Sequence, residues 1–404
     1  MQDSTVSVVA SEHCPICSGE AVGTICELPS YPLTELFVAA TNDHMGLEGG
    51  TPALTLTSLD QALLYCGECC HAFLAKVISP EYLYNQDNYH TRSSASEGSK
   101  ISLTNFAEFI SSNLQAPPTF ALDVGGNDSL LLDSIGALGG AIVDPNASTP
   151  GQSLFQEVRS FFHTLQPEDL DQPVNIICSS HTLEHVVDVH QFFDTAKKFN
   201  AHDLLFLQFP SLELMVESTR YDLIHHQHLH YFSLKSIAIL AASHGLRVVD
   251  HRFDADHYGT LMVALRSSNS GQSAKPQTLE RTSFETHHIQ SSYKSFFTLA
   301  KIENDAVERL PNLFCYGASL MFPICRYYFP SLDKSAGILD QDVNKSVLRF
   351  ADVSLPILLD STDIKLDDAS IFISAVATKQ AHRKIMRNLI NRSAKYIFSP
   401  FGAF

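Results

Sequence analysis

The strongest indication of the fold is the segment Phe120-Ala121-Leu122-Asp123-Val124-Gly125-Gly126-Asn127-Asp128. Its apolar first half predicts a buried strand, its two glycines predict a tight turn, and the following Ser129-Leu130-Leu131-Leu132 predicts the start of a helix. Such a turn presents unpaired backbone N–H groups to a ligand. It lacks the G-x-G-x-x-G spacing of a dinucleotide site, which disfavours an NAD-dependent enzyme.

A second strand ends in a carboxylate. Gly140-Ala141-Ile142-Val143 is apolar and is followed by Asp144. In nucleotide-binding α/β folds an acid at this strand end binds the ribose hydroxyls. Asp123 before the glycine turn, with Asp144, favours S-adenosylmethionine, whose adenosine and charged aminocarboxypropyl end replace a pyrophosphate. We expect this cofactor to contact Asp123, Gly125, Gly126, Asn127 and Asp144.

A third buried strand, Val174-Asn175-Ile176-Ile177-Cys178, is followed by His181, Glu184 and His185. Ligands of open α/β sheets bind beyond the carboxyl ends of the strands, so we add His181 to the predicted cofactor site. His185 either lines the same site or caps the next helix, and both interpretations stay open. Later apolar runs predict the closing strands of an α/β sheet.

Four histidines lie in one short run of the chain, and we take this run as the candidate catalytic region. They are His225, His226, His228 and His230. Imidazole has an unperturbed pKa near neutrality, so clustered histidines suit proton transfer. The run lacks the helical histidine pair with an intervening Glu that zinc hydrolases use, which disfavours a metal ion here. A surface loop with a chance histidine run is the alternative, because the chain has 19 histidines.

Two Cys-x-x-Cys pairs near the N-terminus predict structural zinc. They are Cys14-Pro15-Ile16-Cys17 and Cys66-Gly67-Glu68-Cys69. Four thiolates complete a tetrahedral zinc site and leave no open coordination position, so the ion would stabilise the fold without chemistry. Unrelated buried thiols and a redox pair are weaker alternatives. Cys70 in place of Cys69 stays open.

Length and charge narrow the class of protein. A chain of 404 residues suggests two or three domains. Without a membrane-length apolar run or a readable signal peptide, we expect a cytoplasmic protein with no membrane partner, as a monomer or homodimer. A formal charge of −17 argues against nucleic acid, because phosphate binding needs an excess of Lys and Arg.

Taken together, these motifs resemble one family, the C-methyltransferases of nucleotide-linked keto-deoxysugars, typified by the dTDP-3-amino-4-ketohexose C-3-methyltransferases. The resemblance covers nearly the whole chain. The cysteine pairs and the Asp123–Ser129 loop match family motifs, as do Leu183-Glu184-His185 and the Tyr-Gly-Ala at Tyr316-Gly317-Ala318. The family's Tyr-His-Glu-His-x-x-Tyr-Phe-Ser appears as His225–Ser233, its His-Gly-Gly-Ser as His257–Thr260, and Tyr89 matches the first tyrosine of its Tyr-x-Tyr-x-Ser-Ser.

The resemblance implies an α/β enzyme of three domains. These are a zinc-binding domain at 1–85, a class I methyltransferase domain with a Rossmann-like core at 86–275, and a C-terminal Rossmann-like domain at 276–404. The third domain either helps bind the nucleotide sugar or only packs against the others. The implied reaction begins with base-assisted enolisation of the sugar, with His228 as the base. Its partners would be Tyr89, His185, His225 and Gln227.

The chain departs from the family at several positions. His225 and Gln227 replace a tyrosine and a glutamate, Thr91 replaces the second tyrosine, and Ser129 and Tyr258 replace glycines. Glutamine can hydrogen-bond and orient a neighbour, but it cannot hold a proton as glutamate can. O- or N-methyl transfer to a related glycan precursor and a catalytically inactive binding protein therefore remain alternatives.

Overall fold

Three sheets organise the chain in the computed structural model: a central seven-stranded sheet, an N-terminal antiparallel sheet and a C-terminal parallel sheet. The structure describes residues 9–10, 13–34, 36–40, 56–83, 97–149, 153–199, 204–255, 259–268, 284–361, 364–375 and 379–400. Within these ranges, none of the helices combines the length and the apolar character needed to cross a bilayer.

The N-terminal part is built from antiparallel strands. Its elements are β1 (Val9–Ala10), β2 (Val22–Pro32), β3 (Phe37–Ala39), β4 (Ser58–Cys66), β5 (His71–Leu74), β6 (Lys76–Val77) and the helix α1 (Pro80–Leu83). β4 pairs with β2 on one side and with β5 on the other. Buried and less buried residues alternate through most of β4, as expected of a strand with one face on a core.

The central part alternates strands and helices. Its elements are α2 (Glu97–Ser112), β7 (Ala121–Val124), α3 (Leu130–Ser134), β8 (Gly140–Val143), β9 (Gln156–Val158), β10 (Ile176–Ser180), α4 (Val189–Lys198), β11 (Leu205–Pro210), α5 (Leu212–Glu217), β12 (His230–Tyr231), α6 (Leu234–Ser243), β13 (Leu246–Asp254) and β14 (Thr260–Ser267). Short 3₁₀ turns lie at Phe162–Thr164, Pro167–Asp169, Leu183–His185 and Tyr221–Leu223.

The central sheet has the strand order β13-β14-β11-β10-β7-β8-β9. β11, β10, β7, β8 and β9 are parallel, whereas β14 is antiparallel to both of its neighbours. β7, β8 and β11 are buried along their whole length, because apolar clusters cover both faces of the sheet. The predicted open α/β sheet is present, and its carboxyl edge carries the glycine turn.

β12 leaves the central part and completes the N-terminal sheet. His230 pairs with Phe73 and Tyr231 pairs with Ala72 of β5, in antiparallel register. A strand of two residues has no periodicity, so the sequence could not predict this pairing. It fixes the end of the histidine run against the N-terminal part.

The C-terminal part holds a second parallel sheet. Its elements are α7 (Thr286–Val307), β15 (Leu313–Tyr316), α8 (Phe322–Tyr328), β16 (Ile338–Asp340), β17 (Leu348–Phe350), β18 (Ile357–Leu359), β19 (Ser370–Ile373), α9 (Lys379–Asn391) and β20 (Tyr396–Phe398), with 3₁₀ turns at Pro330–Lys334 and Val343–Val347. The strand order is β18-β16-β15-β19-β20, and every pairing is parallel.

One apolar core joins the N-terminal and C-terminal parts. It includes residues of β2 and β4 together with residues of α7, α8 and β15. β17 also pairs with β3 of the N-terminal part, and the hydroxyl of Tyr31 donates a hydrogen bond of 2.6 Å to the carbonyl of Ile224, just before the histidine run. The histidine run is therefore held between the three parts of the chain.

Candidate active site

A cavity of about 810 Å³ opens at the carboxyl edge of the central sheet. Residues of all three parts line it. Every predicted cofactor-site residue contributes: Asp123, Gly125, Gly126, Asn127, Asp144 and His181. Four predicted catalytic residues contribute as well: His185, His225, Gln227 and His228. The structure thus brings both predicted groups of residues to one site.

The glycine turn is shaped so that side chains would not fit. Gly125 has a φ of +77°, and a Cβ there would collide with the side chain of Thr182. A Cβ at Gly126 would collide with the carboxylate of Asp123. Glycine at both positions therefore allows the backbone to approach the cavity closely, as the sequence predicted.

Two carboxyl groups with raised pKa values lie beside the glycine turn. Burial raises the pKa of Asp123 to about 8, and the nearby charges of Asp128 and Asp144 add to the effect. Burial also raises the pKa of Asp144 to about 6, although the backbone N–H of Asn146 donates a hydrogen bond of 2.6 Å to it. Clustered carboxyl groups offer hydrogen-bond acceptors to a ligand with hydroxyl and ammonium groups.

His185 is fixed in one tautomer. Its Nδ1 lies 2.8 Å from the backbone carbonyl oxygen of Gln227, which can only accept, so Nδ1 carries the proton and Nε2 keeps its lone pair. The capping alternative is wrong, because α4 begins at Val189 and the side chain of Asp188 caps it by accepting from the N–H of Gln191. His185 ends a 3₁₀ turn and lines the cavity.

Gln227 orients His225. Its Oε1 accepts a hydrogen bond of 2.6 Å from the hydroxyl of Thr34 and one of 3.0 Å from Nδ1 of His225. His225 therefore keeps a lone pair on Nε2. Burial lowers the pKa of His225 to about 3, so this ring is neutral at physiological pH.

His228 lies between the other two rings. Its ring centroid is 3.8 Å from that of His225 and 4.8 Å from that of His185. Burial, reinforced by the neighbouring histidines, holds its pKa well below the ordinary value. Nδ1 of His228 has no hydrogen-bond partner among the residues that the structure describes. Three neutral imidazoles thus face one cavity.

The other two histidines of the run have structural contacts. Nε2 of His226 donates to the carbonyl of Tyr31 at 3.0 Å, and Nε2 of His230 donates to the carbonyl of Val186 at 2.9 Å. Nδ1 of His230 lies 3.1 Å from Nε2 of His71. Both bind backbone rather than line the cavity, which separates them from His225 and His228.

Comparison with known proteins agrees with this geometry. A family model described as a methyltransferase domain matches residues 104–251. We call this matched segment, residues 104–251, the methyltransferase domain. The strand order, with β14 as the antiparallel strand, is that of class I S-adenosylmethionine-dependent methyltransferases. The predicted Rossmann-like α/β core is confirmed.

Relatives of the methyltransferase domain are distant. The C-methyltransferase NovU of Streptomyces niveus is 23% identical over 282 residues, which are 67% of this chain and 64% of that protein. The chain thus spans just under two thirds of that relative's length. Among solved structures, a magnesium protoporphyrin IX methyltransferase of Synechocystis PCC 6803 is 13% identical, with 42% of this chain and 84% of that chain covered and a TM-score of 0.33. The N-methyltransferase NodS of Bradyrhizobium japonicum WM9 is 12% identical, with 43% and 89% covered and a TM-score of 0.33.

The predicted cysteine ligands converge beside the methyltransferase domain. The Sγ atoms of Cys14, Cys17, Cys66 and Cys69 all lie within 4.8 Å of one another. Cys14 and Cys69 are 3.4 Å apart and Cys17 and Cys66 are 3.6 Å apart, without disulfides. Thiolates around one tetrahedral zinc ion at 2.3 Å would be about 3.8 Å apart, so this donor set fits zinc.

Both cysteine pairs adopt the same turn. The N–H of Ser18 donates to the carbonyl of Cys14 and the N–H of Cys70 donates to the carbonyl of Cys66, each at 2.9 Å. Ser18 and Cys70 both have positive φ, 56° and 59°. Cys70 thus closes its turn as Ser18 does, and its Sγ lies 3.5 Å from Nζ of Lys235 instead of in the cluster. Among the described residues, the cluster contains Cys69 and not Cys70.

Some predicted residues lie outside the described ranges, and some described lining residues were not predicted. Tyr89, Thr91, His257 and Tyr258 lie outside. The sequence reasoning missed Thr34, Phe161, Phe162 and Lys345, which line the cavity. Phe161 and Phe162 could have been predicted, because they form an adjacent apolar pair just after β9. Thr34 and Lys345 belong to no local pattern.

Proposed function

We propose that this protein is a C-methyltransferase that uses S-adenosylmethionine to methylate a nucleotide-linked keto-deoxysugar. The observation that carries the proposal is the group of three neutral imidazoles, His185, His225 and His228, in the cavity that also holds the glycine turn and Asp144. Methyl transfer to a heteroatom needs little base, whereas methyl transfer to carbon next to a carbonyl requires removal of a weakly acidic C–H proton.

The methyl donor would bind at the glycine turn. Asp144 would accept hydrogen bonds from the ribose hydroxyls, because a carboxylate at this strand end suits a diol. Asp123 and the Gly125–Asn127 backbone would hold the aminocarboxypropyl end, and His181 borders the same region. S-adenosylmethionine supplies an electrophilic methyl group there.

His228 is the proposed base. A lone pair on this ring takes the proton from the carbon next to the keto group, and the C–H electrons move to form an enolate. The enolate carbon would then form the new C–C bond as the methyl–sulfur bond of S-adenosylmethionine breaks, and S-adenosylhomocysteine would leave with the electrons of that bond. A positive ring at His228 would be stabilised by the buried carboxylate of Glu184, which is part of the same cluster.

The tautomers refine the roles of the neighbouring residues. Since Nδ1 of His185 and of His225 donate to Gln227 atoms, their Nε2 atoms can accept a proton but cannot donate to an enolate oxygen. We therefore propose His185 and His225 as proton-accepting partners, with Gln227 as the residue that orients them. In this proposal, the hydroxyl of Tyr89 donates a hydrogen bond to the enolate oxygen.

The C-terminal part would hold the nucleotide half of the substrate. Ser319, Leu320, Met321 and Lys345 reach the cavity from that part. Lys345 is the only Lys or Arg among the described lining residues, and its Nζ contacts the carbonyl of Ala318 at 2.9 Å and Asp340 at 3.4 Å. A cation at this position is suited to a diphosphate. The distant relationship to a C-methyltransferase supports methyl transfer to carbon.

The cysteine cluster would bind one structural zinc ion. Four thiolates would complete its coordination, so the ion would stabilise the N-terminal part and take no part in methyl transfer. α4 of the methyltransferase domain contacts this region, since Nε2 of His190 donates to the carbonyl of Ile16 at 3.1 Å.

The deciding experiment is incubation with a panel of nucleotide-linked ketosugars and S-adenosylmethionine, with mass spectrometry and NMR to locate any added methyl group. A new C–CH₃ bond next to the keto carbon supports the proposal. A methyl group found on oxygen or nitrogen would instead show that the protein is an O- or N-methyltransferase. If no sugar gains a methyl group, the alternative of a catalytically inactive binding protein is supported.

A further inference from the structure

Glu184 is a buried carboxylate among imidazoles. It is 0% exposed, and neither of its carboxylate oxygens accepts a hydrogen bond within the described part of the chain. Nδ1 of His181 lies 3.3 Å from Oε1. Burial would raise the pKa of Glu184, yet the rings of His181 and His185 outweigh burial and hold the pKa below its ordinary value. Positive charge stabilises a buried carboxylate, and a bound cation would supply it in addition to the His181 ring.

Two imidazoles complete a set of three ligands. One side-chain atom each of Glu184, His185 and His228 lies within 4.8 Å of the other two. Metal–ligand bonds of about 2.0–2.2 Å place neighbouring ligand atoms roughly 3.0–3.5 Å apart, so small side-chain rotations would close the site. The set combines two nitrogens with one oxygen, and its two histidines line the cavity.

The hydrogen bond of one histidine in this set matches that of a metal ligand. Histidine ligands usually donate their other ring N–H to a backbone carbonyl or carboxylate, which fixes the coordinating nitrogen. His185 does so, because its Nδ1 donates to the carbonyl of Gln227 at 2.8 Å. For His228, Nδ1 is buried and has no hydrogen-bond partner among the described residues.

We propose that Glu184, His185 and His228 bind a divalent transition-metal ion, distinct from the zinc ion proposed for the cysteine cluster. Two imidazoles and one carboxylate suit Zn²⁺, Fe²⁺ or Co²⁺ better than Mg²⁺ or Ca²⁺, which prefer all-oxygen sites. The two proposed metal sites also differ in their ligands, since the cysteine cluster offers four soft thiolates and the Glu184 set offers none.

The ion has a consequence that rests on the proposed function. A His228 nitrogen whose lone pair binds a metal ion cannot accept a proton. If His228 is the base, the bound ion therefore inhibits removal of the substrate's C–H proton. Metal content and proton exchange can be measured separately, so the two proposals can fail independently.

The test uses the tag-free, full-length, zinc-loaded protein and Co²⁺ as the probe. Equilibrium dialysis with elemental analysis should give one equivalent of Co²⁺ in addition to the zinc of the cysteine cluster. The affinity for this additional Co²⁺ ion should fall at least tenfold in Glu184→Gln and, as a second variant, in His228→Asn. Glu213→Gln is the matched control, because Glu213 is also buried but accepts from the N–H of Leu234 at 2.7 Å and lies outside the cluster.

Failure of folded wild-type protein to take up Co²⁺ beyond the cysteine site would overturn the metal proposal, as would unchanged uptake in both variants. Exchange of solvent deuterium into the ketosugar is then measured with and without Co²⁺. This measurement tests the metal site separately from the proposed role of His228 as the base. Slower exchange with Co²⁺ supports both proposals. Faster exchange with Co²⁺ supports the metal site and overturns His228 as the base.

Discussion

The hydroxyl of Thr34 donates a 2.6 Å hydrogen bond to Oε1 of Gln227, across 193 positions of the chain. The same oxygen accepts from Nδ1 of His225. A residue of the N-terminal part therefore fixes the orientation of an amide that, in turn, fixes a histidine of the cavity. The glutamine here is a hydrogen-bond acceptor at a position where the resembling family has a carboxylate.

Replacing Gln227 by Ala should release His225 and lower turnover about tenfold, because the ring loses the acceptor that fixes its tautomer. S-adenosylhomocysteine affinity, measured by calorimetry, should stay near the wild-type value. Thr34→Val should have a smaller effect of the same sign. An unchanged kcat in Gln227→Ala would show that His225 needs no orientation.

Replacing His228 by Ala should reduce turnover by about 10²–10⁴, the usual contribution of a general base. Exchange of the substrate's α-proton with deuterated solvent, followed by NMR without methyl donor, should vanish. His226→Ala serves as the control, because His226 is in the same run but binds the carbonyl of Tyr31. Exchange that persists in His228→Ala but disappears in His225→Ala or His185→Ala would move the base to that residue.

Affinity for S-adenosylhomocysteine should fall as the pH drops from 7 to 5. The ribose hydroxyls favour the carboxylate form of Asp144, and the pKa of Asp144 in the free protein is about 6, so protonation below that pH competes with binding. Asp123 stays protonated across this window, because its pKa is about 8. Calorimetry from pH 5 to 7 measures the trend.

Asp144→Asn should flatten that pH dependence and weaken binding at pH 7 by about 1–3 kcal/mol, the cost of a lost hydrogen-bond acceptor in a buried site. Retention of the wild-type pH profile in this variant would place the ribose elsewhere.

The double variant Cys14→Ser, Cys66→Ser should lose the proposed zinc ion and unfold at a lower temperature, because metal binding contributes folding free energy directly. Elemental analysis and thermal unfolding test this. Cys70→Ser is the matched control and should keep the ion, since Cys70 contacts Lys235 instead of the cluster. Zinc retained at full stoichiometry in the double variant would contradict the assignment.

Lys345→Ala should raise KM for the nucleotide sugar about tenfold while the affinity for S-adenosylhomocysteine stays constant, because the cation contacts only the acceptor in the proposed complex. Lys334→Ala is a suitable control, since Lys334 pairs with Glu308 on the surface. Equal KM values in the two variants would argue against a phosphate at Lys345.

The features that the sequence predicted correctly are those with a local pattern. The Gly125-Gly126 turn, the acid at Asp144 and the two cysteine turns each occupy a few consecutive residues. The pairing of Tyr231 with Ala72 depends on contacts between distant segments and left no periodicity to detect. Glu184 was visible as a residue in the sequence, but its complete burial beside His181 is a property of the fold alone.

The two residues of β12 make the N-terminal part and the methyltransferase domain a single unit for protein engineering. A fragment cut at the predicted boundary after residue 85 would leave His230 and Tyr231 without their β5 partners and Gln227 without Thr34. Heterologous fusions that exchange only the N-terminal segment would therefore disturb the histidine run. Chimaeras of this protein should retain residues 13–34, 56–83 and 204–243 from one parent.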